Sequence, residues 1–166
     1  MSEETPQKSA PETPSGNESD ESRIAIVGSC YNAIFTDAMV NAASTKIGEL
    51  LPRAKLEVHR VPGAFEIPVV VEALCRRQSN SPDVVIALGV IIRGSTAHAD
   101  LIAESITRSL HDCSRENLVP VIHEVLLVGN IEQAEERALG ERLNRGREAA
   151  EAAVAILDVM RAVEAG

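Results

Sequence analysis

The chain has 166 residues, 45% of them hydrophobic and 25% charged, with a formal net charge of -9 and a pI near 4.9. That length supports one core of ordinary size and argues against two domains. Without clustered Lys and Arg there is no electrostatic footprint for nucleic acid or an anionic membrane surface, no apolar run reaches membrane-spanning length, and the acidic start is unlike a signal peptide.

Residues 1–22 carry Glu3, Glu4, Glu12, Glu18, Asp20 and Glu21 against Lys8, which leaves the remaining body only mildly acidic. With almost nothing to bury, this stretch is expected to be a disordered acidic tail ahead of one domain over 23–166. Residues 23–28 (Arg-Ile-Ala-Ile-Val-Gly) read as a short buried strand ending in glycine. Thr36 or Asp37 can cap a helix whose apolar stripe runs through Ala38, Met39, Ala42, Ala43, Ile47 and Leu50. Residues 56–61 form a second strand, the most polar and so the natural edge. The turn around Pro62 and Gly63 leads to a helix with Pro68 in its first turn, continuing to about Gln78. The first half of the stretch from Asp83 to Asp100 is a continuous β-branched and aliphatic run, the pattern of a strand covered on both faces inside a parallel sheet. An amphipathic pattern follows from Ala97 to about Cys113, with Ile102, Ile106, Ser109, Leu110 and Cys113 on one stripe. Residues 118–127 give the fourth strand, with Pro120 near its start. A turn at Gly129-Asn130 precedes a long helical region over 131–163, interrupted near Gly140 or Gly146.

Strand and helix alternate four times, and the right-handed crossover rule then favours an α/β sandwich: a four-stranded parallel sheet with helices on both faces. Ligands in such sheets bind beyond the carboxyl ends of the strands, at a topological switch point. That selects the loops 29–35, 61–66, 90–98 and 127–130.

The first of these loops has only Gly28 and no G-x-G-x-x-G, so a dinucleotide site is disfavoured. Tyr31 offers a face for a flat heterocycle, or a cap over the core with its hydroxyl in water. Glu66 suits either a polyol or the start of a helix, and Phe65 taken alone belongs to the core. Ser95 and Thr96 can present hydroxyls and amides to a phosphate at a helix N-terminus, or act as a simple N-cap. His98 beside them is placed for proton transfer, and an imidazole at a dipole-positive end tends to stay neutral. His123 and Glu124 point to opposite faces of a strand and cannot serve one ligand together. His59 and His111 read as solvated. Arg137 is the long-range cation available to a phosphate, unless Glu132, Glu135, Glu136 or Glu141 claims it. Cys30, Cys75 and Cys113 are odd in number and widely spaced, suggesting neither a disulfide framework nor a zinc site but reduced thiols of a cytoplasmic protein.

Five ordered motifs resemble the 6,7-dimethyl-8-ribityllumazine synthase family. They are Tyr31-Asn32, Val-Pro-Gly-Ala-Phe-Glu-Ile-Pro (61–68), Ala-Leu-Gly-Val-Ile-Ile-Arg-Gly-Ser-Thr-Ala-His (87–98), Val-Pro-Val-Ile (119–122) and Ile-Glu-Gln-Ala-Glu-Glu-Arg-Ala (131–138). The resemblance implies a flavodoxin-like sandwich and the condensation of 5-amino-6-(D-ribitylamino)uracil with 3,4-dihydroxy-2-butanone 4-phosphate, without metal or organic cofactor. Position by position, it implies that Tyr31 stacks on the pyrimidine. Ala64, Phe65 and Glu66 would grip the ribityl chain and ring, and Val90, Ile91 and Ile92 would read the uracil edge. Ser95 and Thr96 would cradle the phosphate, His98 would transfer protons, and Arg137 would bind phosphate. His123 stands where the family commonly has a Phe from the adjacent subunit. Ala99, Leu139 and Glu141 depart from the family's usual aromatic, Gly and Lys. The resemblance further implies a homo-oligomer, a pentamer or a multiple of one, with sites between subunits. The changed positions motivate one alternative, a non-catalytic flavin- or lumazine-binding carrier or regulator; a shell-forming structural protein is another.

Overall fold

The computed structural model describes residues 21–166. The expected disordered tail therefore lies outside the described residues, except for its last two. Of these, Glu21 pairs with Arg53, and Ser22 is buried with its carbonyl accepting the Lys55 N–H at 2.8 Å.

Four strands, β1 (Arg23–Ser29), β2 (Lys55–Val61), β3 (Val84–Ile92) and β4 (Val121–Val128), alternate with helices α1 (Ala33–Leu50), α2 (Ile67–Cys75), α3 (His98–Asn117), α4 (Ile131–Ala138) and α5 (Arg145–Ala165). A single 3-10 turn, Ala64–Glu66, precedes α2. The sheet is parallel throughout with order β2-β1-β3-β4, so β2 lies at an edge and the aliphatic run of β3 lies inside, as its sequence requires. Seven of the nine β3 residues are buried. On one face Ile24, Ile26 and Ile86 pack against Met39 and Ile47 of α1 and Ala150 and Leu157 of α5. On the other, Val27 and Val85 meet Ile67 and Val71 of α2 and Ile106 and Leu110 of α3. This is the flavodoxin-like, three-layer arrangement. The chain turns back after β2, so the switch point lies between β1 and β3.

Several boundaries move from their expected places. Helix α1 begins at Ala33 rather than after Thr36 or Asp37, because neither side chain is spent on a cap. The Thr36 hydroxyl donates back to the Tyr31 carbonyl at 3.2 Å, and Asp37 pairs with Arg60 at 2.6 Å. The chain instead enters α1 through Asn32 in the left-handed region, at φ 54. Helix α2 stops at Cys75, short of Gln78, with Pro68 in its first turn as expected. Helix α3 extends to Asn117, and its Ser109 faces solvent rather than the core. Pro120 lies just ahead of β4 and is tolerated there because only its carbonyl is used, accepting the Val85 N–H at 2.9 Å. The helical region after β4 breaks over 139–144, where Asn144 caps α5 by accepting the Arg147 N–H at 3.1 Å. No helix among the described residues is long and apolar enough to cross a membrane.

Candidate active site

Strand β3 outruns its neighbour. The last β1–β3 pair is Gly28 with Leu88, whereas the β3–β4 ladder continues to Ile92 with Val128. Over its last residues β3 therefore has one backbone edge beyond the reach of β1, and a strand edge is a row of donors and acceptors. Asn32 meets this edge. Its left-handed backbone turns the chain out of β1, and its side-chain amide donates to the Val90 carbonyl at 2.8 Å. The amide thus holds the first loop against β3 and fixes how much of the edge stays open.

Around that edge lies a cavity of about 550 Å³. Tyr31 and Asn32 form one wall, Gly63, Ala64 and Phe65 a second, Val90, Ile91 and Ile92 the floor, and Gly94, Thr96, His98, Ala99 and Ile102 the third wall. Tyr31 is 72% exposed and Phe65 60% exposed. Neither ring is part of the core, so Phe65 departs from its bland reading. The chain has three aromatic residues in all, and two of them stand on this rim. Such flat apolar faces on either side of a polar backbone edge suit a planar heterocycle.

The structure brings Tyr31, Ala64, Phe65, Val90, Ile91, Ile92, Thr96 and His98 together at the cavity, and keeps four expected residues out of its lining. Glu66 is turned back, its Oε2 accepting the Gly63 N–H at 2.8 Å. A Cβ on Gly63 would lie 2.9 Å from that oxygen, so a side chain there would push the carboxylate off the Gly63 N–H. Ser95 sits exposed on the loop between Gly94 and Thr96. Arg137 is on α4, whose Ala134 and Ala138 pack into the core on the α1 and α5 side of the sheet. His123 is on β4 facing α3. Its Nε2 is 2.8 Å from the Thr107 hydroxyl, and its Nδ1 accepts the Val125 N–H at 3.1 Å. Burial holds its pKa below the ordinary 6.5. His59 is half-buried beside Glu57, at 3.1 Å, rather than solvated.

Helix α3 opens on the cavity without a side-chain cap, since Ala97 occupies the N-cap position. Its first N–H groups lack intrahelical partners and favour an anion. His98 is the first residue of the helix, with its N–H 3.5 Å from the Thr96 hydroxyl. Asn32, Ala99 and Ile102 were given no site role from the sequence. An Asn directly after a strand is a recognisable left-handed candidate, whereas nothing in the residue types of Ala99 or Ile102 marks them. Among the described residues, no three His, Cys, Asp or Glu side chains are arranged to hold a metal ion. Cys75 and Cys113 are buried and Cys30 exposed, all three free. Burial pushes both buried thiols up, and Glu72 raises Cys113 further.

An imidazole at an uncapped helix start, beside an open strand edge in a cavity at the switch point, is the layout of a small-molecule site in an α/β protein. Comparison with known proteins narrows this. The profile of the 6,7-dimethyl-8-ribityllumazine synthase family matches residues 21–161. The 6,7-dimethyl-8-ribityllumazine synthase of Halorhodospira halophila (strain DSM 244 / SL1) is 38% identical over 146 residues, spanning 87% of this chain and 92% of that relative. The chain belongs to the 6,7-dimethyl-8-ribityllumazine synthase family and is a transferase.

Proposed function

We propose that the rim cavity is where this chain carries out the family's reaction, the condensation of 5-amino-6-(D-ribitylamino)uracil with 3,4-dihydroxy-2-butanone 4-phosphate in riboflavin biosynthesis. The observation that carries the reading is the meeting of the open β3 edge, the Tyr31 ring and His98 in one cavity. The uracil lies along Val90 to Ile92 with its ring against Tyr31, and Ala64 and Phe65 line the path of the ribityl chain, with the Glu66 carboxylate reaching it only by leaving the Gly63 N–H. The butanone phosphate sits at the start of α3, near Ser95 and Thr96. The 5-amino nitrogen attacks the ketone and water leaves as a Schiff base forms. Elimination of phosphate then leaves an enol, which tautomerises to a new carbonyl, and the ribityl-bearing nitrogen closes the second ring on that carbonyl with loss of another water. No electrons change hands overall. Holding two reactants in one cavity supplies much of such a rate, and His98 relays the protons.

Arg137 and His123 do not line their own chain's cavity; in an assembly with sites between subunits, each would face the cavity of a neighbouring copy. The exposed apolar surface supports such an assembly. Leu118 is 76% exposed and in the left-handed region at φ 53, a conformation unfavourable for a branched residue, and Val69, Leu101 and Val163 are exposed as well. A homopentamer in the cytoplasm fits these features. Light scattering gives the subunit number directly. The assay is the appearance of lumazine fluorescence from the two substrates: product from the native chain that falls sharply with His98→Ala and Arg137→Ala supports the reading. Tight substrate binding with no product would make the protein a carrier instead.

A further inference from the structure

We propose that Arg93 is a positioning residue that masks the Asp100 carboxylate, so that the start of α3 is free to receive the substrate's phosphate. The inference rests on the proposed placement of the phosphate at that helix end.

Arg93 follows β3 directly, and its N–H donates to the Val128 carbonyl at 2.9 Å, which fixes its backbone to the end of the sheet. Its guanidinium reaches across the loop, with Nε at 3.0 Å and Nη2 at 2.7 Å from the same Asp100 oxygen. Asp100 is the third residue of α3 and the acidic group of its first turn. A carboxylate there stabilises the helix, but it also competes with any second anion that the first-turn N–H groups attract. The mutual hydrogen bond is the main cause that pushes Asp100 down and Arg93 up. Asp100 therefore stays ionised around neutrality, and only its partner's charge can silence it. The pair also bridges the loop holding Gly94, Ser95 and Thr96. That loop stands clear of the body, since a Cβ on Gly94 would meet nothing within 4 Å.

A simple staple and a charge mask predict different things. If the pair only holds the loop, losing either partner has the same effect. If Arg93 masks Asp100, removing the arginine leaves a bare carboxylate beside the phosphate, while removing the carboxylate leaves a cation there. The test is steady-state kinetics with each substrate varied in turn, together with phosphorus NMR of inorganic phosphate binding. Arg93→Gln is expected to raise the KM for the butanone phosphate about tenfold, a loss typical of one charge-assisted contact. The KM for the uracil substrate and kcat should both stay within about threefold, because the Arg93 side chain is engaged by Asp100 and its backbone by Val128, leaving the Val90 to Ile92 edge in place. Asp100→Asn should leave the phosphate KM unchanged or lower it, and Arg93→Gln combined with Asp100→Asn should recover most of the loss, as should Arg93→Lys. Inorganic phosphate should follow the same order. Equal losses from the two single variants, a parallel rise in both KM values, or an Arg93→Gln chain indistinguishable from the native one would overturn the proposal. If the native chain makes no product, the catalytic reading fails, while phosphate binding still reads the charge pair.

Discussion

On the face of the sheet that carries α1 and α5, contact is made largely by small residues, with Ala43 from one helix and Ala149, Ala150 and Ala153 from the other. Gly146 lies so close to α1 that an added Cβ would fall 2.1 Å from the Met39 carbonyl oxygen. On the face that carries α2 and α3, the core is interrupted by polar and polarisable groups. Cys75 and Cys113 meet Glu72 there, and His123 meets Thr107. The layer ends at the rim in a cavity rather than in packed side chains. One face fixes the sheet by close approach of backbones. The other packs around a second core of its own and ends at the rim in the cavity.

Breaking the close-packed face should have the largest effect. Gly146→Val drives two methyl groups and a Cβ into backbone that cannot swing aside, at a cost of about 3 kcal/mol or more. Urea denaturation should show a collapsed midpoint or no folded chain at all. Were Gly146→Val to fold with native stability, the two faces would not differ as described. His98→Ala tests the other side of the comparison. It should lower kcat about 100-fold, the range for losing a positioned proton-transfer group, with an unchanged thermal midpoint because the side chain is exposed.

Asn32 lies where the two functions meet, and two variants separate its parts. Asn32→Gly keeps the left-handed backbone and loses the bond to Val90, costing about 1 kcal/mol. Asn32→Ala loses the bond and also replaces a residue that tolerates the left-handed region by one that does not, adding roughly another 1 kcal/mol. Both should raise the KM for the uracil substrate, since the first loop is no longer fixed to the β3 edge. Equal stability of the two variants would show that the turn's strain is carried elsewhere.

What could be read from the chain beforehand follows the same division. The unbroken aliphatic run of β3 requires burial on both faces, and the abrupt change to Gly94, Ser95, Thr96 and His98 after it marks a rim loop, so the interior place of β3, the edge place of β2 and the rim loops were legible, while the full strand order was not. Local competition was not. Thr36 and Asp37 are good capping residues by type, yet each is occupied by a partner brought up by the fold, Tyr31 and Arg60. Glu66 matches a ligand-gripping motif, yet its carboxylate folds back on Gly63. Residue type reports what a side chain can bond, and only three-dimensional placement decides which partner arrives first. Arg137 and His123 show the same limit at longer range: their residue types suit a phosphate and a proton, and neither lines the cavity of the described chain.

The smallest effect concerns the polar group within the α2 and α3 face, and its sign can be fixed in advance. The Thr107 hydroxyl gives its one proton to the Ala103 carbonyl at 2.8 Å, so it can only accept from His123. The proton of the ring is therefore on Nε2, and Nδ1, facing the Val125 N–H, holds a lone pair. A second proton on Nδ1 would confront that N–H, which acts in the same direction as the burial that holds the pKa below 6.5. The folded chain thus binds fewer protons here than the unfolded chain does. Stability from this group is whole above the unfolded pKa and is lost as pH falls through the folded value, with a slope no steeper than one proton, about 1.4 kcal/mol per pH unit. Urea melts of the native chain and His123→Phe at pH 7.5 and pH 5 should show the native chain losing more on acidification, with shared carboxylate effects cancelling in the difference. Nitrogen NMR should report a neutral ring protonated at Nε2. If the ring titrates at an ordinary pKa, or carries its proton on Nδ1, His123 is not held by Thr107 and Val125 and remains available as a second proton carrier beside His98.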